Sequence, residues 1–388
     1  MRNCIRIPRI LLPKKDFRHW SVIACDQYTS DREYWQNVER EVGNRPSSLR
    51  FILPEIYLGE NDEERIAEIR ENMHTAMVEG WMEKLDRGFV LTERTTASGI
   101  RRGLIVAIDL EAYSCRPGEV TPIRSSEEVV PDRLPARIAL RRESTLEFPH
   151  AIVFYKDKKD RVMKDLLKED LEKLYDFDLM SGGGHLKGYF VPEFIAADVA
   201  QDLYSRGDPC FAVADGNHSI AAAKAFWEEK KSELPERERR LHPARFALVE
   251  AVNLYDPSVV FHPIHRLVKE TDAEAFCSYF ASQVRCKREG NVLIPDLPAG
   301  AEGAQRTDEI AERYIRANGG KIDYIHGDEE LRRLASEEDC AGVLLKAPDK
   351  DKFFAQLKGG KNFPKKTFSI GEAAEKRYYL EGREISYD

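Results

Sequence analysis

The residues of this chain best suited to chemistry stand in Asp215-Gly-Asn-His-Ser219. A carboxylate and an imidazole three residues apart can both move protons. Gly216 can take the positive φ of a sharp reversal, and Ser219 reads as the N-cap of a following helix. A turn that feeds a helix start leaves N–H groups unpaired beside the positive end of the dipole, which suits an anion. Asp26 stands in a second polar corner, Ala24-Cys-Asp-Gln-Tyr-Thr-Ser30. A third stretch, Leu179-Met-Ser-Gly-Gly-Gly-His185, sets three glycines before a histidine. Gly183 and Gly184 could let a ligand approach main-chain N–H groups, as in an anion nest, although no Gly-Lys-Ser/Thr follows as a Walker A loop requires. Arg94 and Arg124 offer guanidinium clamps for phosphate or carboxylate. His262-Pro-Ile-His265 has two histidines three apart, but Pro263 opposes a zinc-binding helix. Each stretch also has a plain structural reading: a capped corner, a hairpin turn or an ordinary ion pair.

The surrounding pattern says which elements position these groups. Residues 211–214 are an apolar run fit for a buried strand. A helix follows, with Ile220, Ala223 and Trp227 on one face and Lys230 and Lys231 near its far end, where cations suit the dipole. Residues 20–24 read as a strand that runs through the Asp26 corner into a helix carrying Trp35 and Val38. Residues 50–58 read as a strand, 63–87 as one long charged helix stopped by Gly88, and 89–95 with 103–110 as a strand pair. Further strands are expected at 147–155 and 246–254, and helices at 160–174, 192–204 and 271–283. Beyond a Pro- and Gly-rich stretch, helices and strands alternate to residue 357. The expected fold class is α/β with a mixed sheet. The expected domains are a core over 1–288, a linker over 289–304 and a small α/β segment over 305–388.

Composition narrows the function classes. A net charge of -8 and a pI near 5.8 argue against general nucleic-acid binding. The seven cysteines form no CxxC pair, which points to reduced thiols without a structural zinc. No run approaches 18 apolar residues, so neither a membrane span nor a signal peptide is expected, and a cytoplasmic location follows.

Several of these motifs, in this order, resemble a bacterial and archaeal family of uncharacterised proteins. They are Ala24-Cys-Asp-Gln-Tyr-Thr-Ser30, Leu179 to His185, Asp215-Gly-Asn-His218, Pro263-Ile-His265-Arg266 and Phe363-Pro-Lys-Lys-Thr-Phe368. The resemblance spans essentially the whole chain. It implies a core similar to the ParB/sulfiredoxin-like fold, which includes free-serine kinases. Related folds hold nucleotide phosphates on a Gly-x-His-Arg-like turn at a helix start. Gly216 and His218 match that turn, but Ser219 stands at the arginine position and Asn217 where sulfiredoxin has its cysteine. Sulfinate reduction is therefore not expected, and Arg94, Arg124 or Lys224 is expected to replace the missing charge.

The implied function is a small-molecule enzyme of the nucleotide-dependent phosphotransferase type, using a nucleotide and Mg²⁺. Asp215 or Asp26 would take a proton or hold the metal, with His218 beside them. Gly216, Asn217, Ser219, Gly183, Gly184, His185, His265 and Arg266 would contact the ligand. No haem or flavin is implied, and a homodimer is left open. The alternatives are a non-catalytic nucleotide or metabolite sensor and, less well supported, a metal-dependent hydrolase.

Overall fold

The structure is a computed structural model that describes residues 3–25, 28, 31–148, 151–205, 207 and 209–387. Asp26, its neighbours Gln27, Thr29 and Ser30, and His150 lie outside the described residues. By internal contacts the chain divides into two compact units, Met1–Val259 with Glu372–Asp388, and Val260–Gly371.

In chain order the first unit contains strand β1 (Val22–Ile23), helix α1 (Arg32–Val42), and strands β2 (Met82–Thr96), β3 (Gly99–Asp109) and β4 (Ile123–Ser125). Helix α2 (Pro135–Glu143) and strands β5 (Ala151–Tyr155), β6 (Glu172–Asp178), β7 (His185–Pro192) and β8 (Phe211–Asp215) follow. Helix α3 (Asn217–Glu233) and strand β9 (Phe246–Asn253) complete its main part. The large sheet runs β6-β7-β2-β3-β9-β5-β8-β4. It is mixed: β9 pairs parallel with β5, β5 antiparallel with β8, and β8 parallel with β4. Every residue of β5 and of β9 is buried. Strands covered on both faces need near-continuous apolar runs, which is how Ala151-Ile-Val-Phe-Tyr reads. The α/β mixed-sheet class expected from the sequence is the class observed.

Three local differences have simple causes. The stretch 63–87 splits into a helix, Asp62–Val78, and the first part of β2. Gly80, at φ +64°, turns the chain between them, and an alternating charged run can serve a half-exposed strand as well as a helix. The 160–174 stretch likewise splits into a short helix, Arg161–Leu166, and the start of β6. Residues 50–58 form short 3-10 turns around Pro54 rather than a strand.

The second unit is built around strand β10 (Phe261–Lys269), which pairs antiparallel with Lys321–His326 and Cys340–Val343. Within 289–304, Val292–Pro295 forms a strand against Cys286–Glu289 and Cys340–Val343. Its Val-Leu-Ile run is apolar enough to enter a sheet despite the prolines and glycines that follow.

The C-terminal tail returns to the first unit. Tyr378 and Tyr379 pair with Ile23 and Val22 of β1, and Arg383–Glu384 pairs with Leu146–Glu147. Arg94, wholly buried on β2, fixes that return. Its Nε donates to Gly183 O at 2.8 Å, its Nη1 to Glu375 O at 3.1 Å and Lys376 O at 2.5 Å, and its Nη2 to Ala374 O at 2.6 Å. Burial, with Arg101 beside it, lowers its pKa to about 9. Arg94→Met is expected to cost about 3 kcal/mol or more, because it takes their guanidinium partner from Gly183 O, Ala374 O and Lys376 O and leaves Glu375 O only its bond from Arg101. Denaturant unfolding measures the loss, and limited proteolysis should cut the tail before the sheet.

Candidate functional site

The corner between β8 and α3 is built by close approach. Gly216 has φ +90°, and a Cβ there would lie 2.9 Å from Ala151 Cβ and 2.9 Å from Arg377 Nη1. Only glycine fits, and its absent side chain leaves room for the arginine. The helix begins at Asn217, two residues before the expected cap, so Ser219 sits inside its first turn. There Ser219 Oγ accepts from Arg377 Nη1 at 3.3 Å. On the other side of the same guanidinium, Asp215 Oδ2 lies 3.4 Å from Arg377 Nε. A tail residue thus supplies the cation of this helix start.

The other residues of the motif turn away. Asn217 Oδ1 accepts from Ser125 Oγ at 2.6 Å and from Ser126 N at 3.2 Å, which pins the loop after β4. His218 Nε2 accepts from Val130 N at 3.1 Å, so that nitrogen's lone pair is already in use.

Ser219 and Arg377 line a cavity of about 160 Å³ in the first unit. Ala24 and Cys25, which precede Asp26 in the sequence, line it too. Cys25 Sγ donates weakly to Ala373 O at 3.8 Å. Arg137 and Arg141 of α2 add positive charge, and Phe51, Leu53, Pro54 and Met73 add apolar wall. Glu147 also reaches the cavity, but Arg141 Nη1 at 2.5 Å and Arg383 Nε at 2.6 Å hold it. Burial alone would raise its pKa, yet these two arginines bring it below the usual carboxylate range.

The remaining candidates are placed elsewhere. Arg94 was expected to clamp an anion, and its donors are spent on main-chain carbonyls instead. Arg124 is buried on β4, where its Nη1 donates to Arg116 O at 3.1 Å and burial lowers its pKa. Lys224 pairs with Glu228 at 2.5 Å along α3. Gly183 and Gly184 form the tight turn from β6 to β7: a Cβ at Gly184 would lie 2.1 Å from Thr95 O, so the glycines serve packing. His185 is held between Asp178 at 2.7 Å and Asp176 at 2.8 Å. His265 and Arg266 belong to the second unit. There His265 Nδ1 accepts from Leu345 N at 3.1 Å, Nε2 faces Asp328 at 3.0 Å, and Arg266 grips Asp308 through Nε at 2.6 Å and Nη2 at 3.0 Å.

Sequence reasoning missed Arg137, Arg141 and Arg377. The first two had a readable signal: Pro135 opening a helix, then arginines at i and i+4 on one face. Arg377 had none, since 158 residues separate it from Ser219. Among the described residues no group of three or more His, Cys, Asp or Glu is arranged to hold a metal ion, and no helix is long and apolar enough to cross a membrane.

Fold and site together define a mixed α/β protein with a cationic cavity at a strand–helix corner. The chain belongs to the family described as a protein of unknown function (DUF1015), whose model matches residues 7–369. No curated protein matches it. Among solved structures it is similar to a conserved hypothetical protein from Pyrococcus furiosus, at 13% identity over 69% of this chain and 90% of that one, with a TM-score of 0.35. A point mutant of a free serine kinase in complex with ADP gives 12% identity over 73% and 92%, with a TM-score of 0.38. SbnI with a C-terminal truncation, from Staphylococcus aureus, gives 9% identity over 69% and 82%, with a TM-score of 0.36. At these scores the likenesses carry no argument about ligand or reaction.

The two best-tied histidines should titrate in opposite senses. Hydrogen bonds donated to Asp178 and Asp176 raise the pKa of His185, so its contribution to stability is full below the unfolded value of ~6.5 and is lost as pH rises through the folded one. Burial lowers that of His265, so its contribution is full above ~6.5 and falls as pH drops through the folded value. A histidine NMR titration should place the His185 midpoint above ~6.5 and that of His265 below it. The reverse order would contradict the hydrogen-bond pattern described.

Proposed function

We propose that this protein is a small-molecule enzyme of the nucleotide-dependent phosphotransferase type, with a ParB/sulfiredoxin-like core, whose anionic ligand sits between the start of α3 and Arg377. One observation carries the reading. The Arg377 guanidinium lies 3.3 Å from Ser219 Oγ, in the helix turn where the resemblance calls for an arginine. Ser219 removes that cation from the local motif, and Arg377 returns one to the same turn from the far end of the chain.

Phosphoryl transfer asks a protein chiefly for positioning and charge neutralisation. In this reading Arg377, Arg137 and Arg141 neutralise charge, and the amides of the first turn of α3 donate to the anion. Asp215 holds Arg377 in place, so it positions rather than abstracts. Proton acceptance from the substrate hydroxyl falls to Asp26, the residue after cavity-lining Cys25. A nucleotide and Mg²⁺ are the cofactors this chemistry requires.

A second reading, a non-catalytic metabolite sensor, draws on a different observation. Asp215 is paired with Arg377 and His218 Nε2 accepts from Val130 N, which leaves neither poised for proton transfer. Turnover separates the two readings. Thermal unfolding with ATP, ADP or CTP should show a Mg²⁺-dependent rise worth ~2.7 kcal/mol at 100 times the dissociation constant. Arg377→Gln should remove most of it. Asp26→Asn should keep the shift and abolish phosphate transfer to free amino acids. Nucleotide binding with no transfer to any of them would favour the sensor, and no nucleotide shift at all would contradict the phosphotransferase.

A further inference from the structure

The cavity is partly open to solvent and does not enclose a whole nucleotide. Its inner volume is about 160 Å³, close to the ~150 Å³ of an apolar cavity that takes one benzene. A nucleoside phosphate is several times larger and would extend through the mouth, so the inner space suits a single ring or a short chain. Its walls have two characters. Phe51, Leu53, Pro54 and Met73 are apolar, whereas Arg137, Arg141 and Arg377 are cationic, and among the described lining residues the carboxylate is Glu147, which Arg383 also holds.

Arg141 adds a more specific cue. Its Nη1 meets Glu147 at 2.5 Å, but its Nε and Nη2 are buried and make no hydrogen bond. Charged donors left dry in this way are costly. On several other arginines of the chain the same Nε–Nη2 edge receives a carboxylate. Arg245 takes Asp109 on it, Arg142 takes Glu229 and Arg266 takes Asp308. The edge presents two parallel N–H groups, a match for two coplanar oxygens.

We propose that the cavity binds a small organic carboxylate with a short apolar body. The carboxylate pairs with the Nε–Nη2 edge of Arg141, in the field of Arg377, and the body lies against Phe51, Leu53, Pro54 and Met73. Both donor nitrogens are shut off from water, so docking goes with a turn of the guanidinium about its contact with Glu147, and the pair that forms is dry. The inference rests on the phosphotransferase reading of the same site and names the class of its small substrate, placing the nucleotide outside the inner space.

Calorimetry on the full chain tests it, with benzoate, phenylacetate and butanoate set against benzamide, phenyl phosphate and ATP. The acids should bind at least about tenfold tighter than benzamide, which has the same body without the charge. Arg141→Lys keeps a cation beside Glu147 but loses the planar fork. It should weaken benzoate by about tenfold or more. Leu53→Trp, in the apolar lining, should block benzoate and spare ATP. Equal binding of benzoate and benzamide, or binding of phenyl phosphate and ATP alone, would overturn the inference and leave the phosphotransferase reading standing. Acid binding without any nucleotide binding would uphold the inference and remove that reading. Binding of none of the six would remove both.

Discussion

A buried guanidinium must find an acceptor for each of its donors, and Arg94 satisfies that demand with main chain. Four carbonyls close around it, one from the triple-glycine turn and three from the returning tail. Arg101 adds a further bond to Glu375 O at 3.0 Å. The tail from Ala374 to Lys376 is thereby fixed against the middle of the large sheet, and the next residue in the chain is Arg377. The position of the site's cation follows from a structural arginine on β2. Glycine enters at both ends of this arrangement. Gly183 gives its carbonyl to Arg94, and Gly216 clears the space that Arg377 Nη1 occupies.

The electrostatics of the cavity follow from the same economy. Glu147 and Asp215 are each held by arginine. In a partly apolar cavity such charges act at low dielectric, where a charge pair is worth far more than in water. The chemistry such a place favours is the seating of an anion.

How much of this was legible in the sequence depended on how local each feature was. The strand, glycine turn and alanine-rich helix around Asp215 and Gly216 were readable because each signal lies within a few residues. The cap was misplaced because Ser219 has the right residue type but sits one turn too far in, where its hydroxyl meets Arg377 instead of a backbone amide. Arg94 stood out as an arginine inside a strand pattern. Its role did not, because its acceptors lie about 90 and 280 residues away. His265 and Arg266 looked like ligand residues, and they close internal hydrogen bonds of the second unit. Residue type announces that a group needs a partner, but only the fold says whether the partner is a ligand or the chain itself.

The central claim is that Arg377 serves, from the tail, as the cation of the α3 anion site. Exchanging the two positions tests it most directly, by calorimetry of benzoate and ATP against Arg377→Ser and against the double variant Ser219→Arg, Arg377→Ser. The account predicts that the single variant loses binding by about tenfold or more and that the double variant regains most of it, because the guanidinium returns to the same helix turn. A single variant that binds as the wild type does would contradict the account.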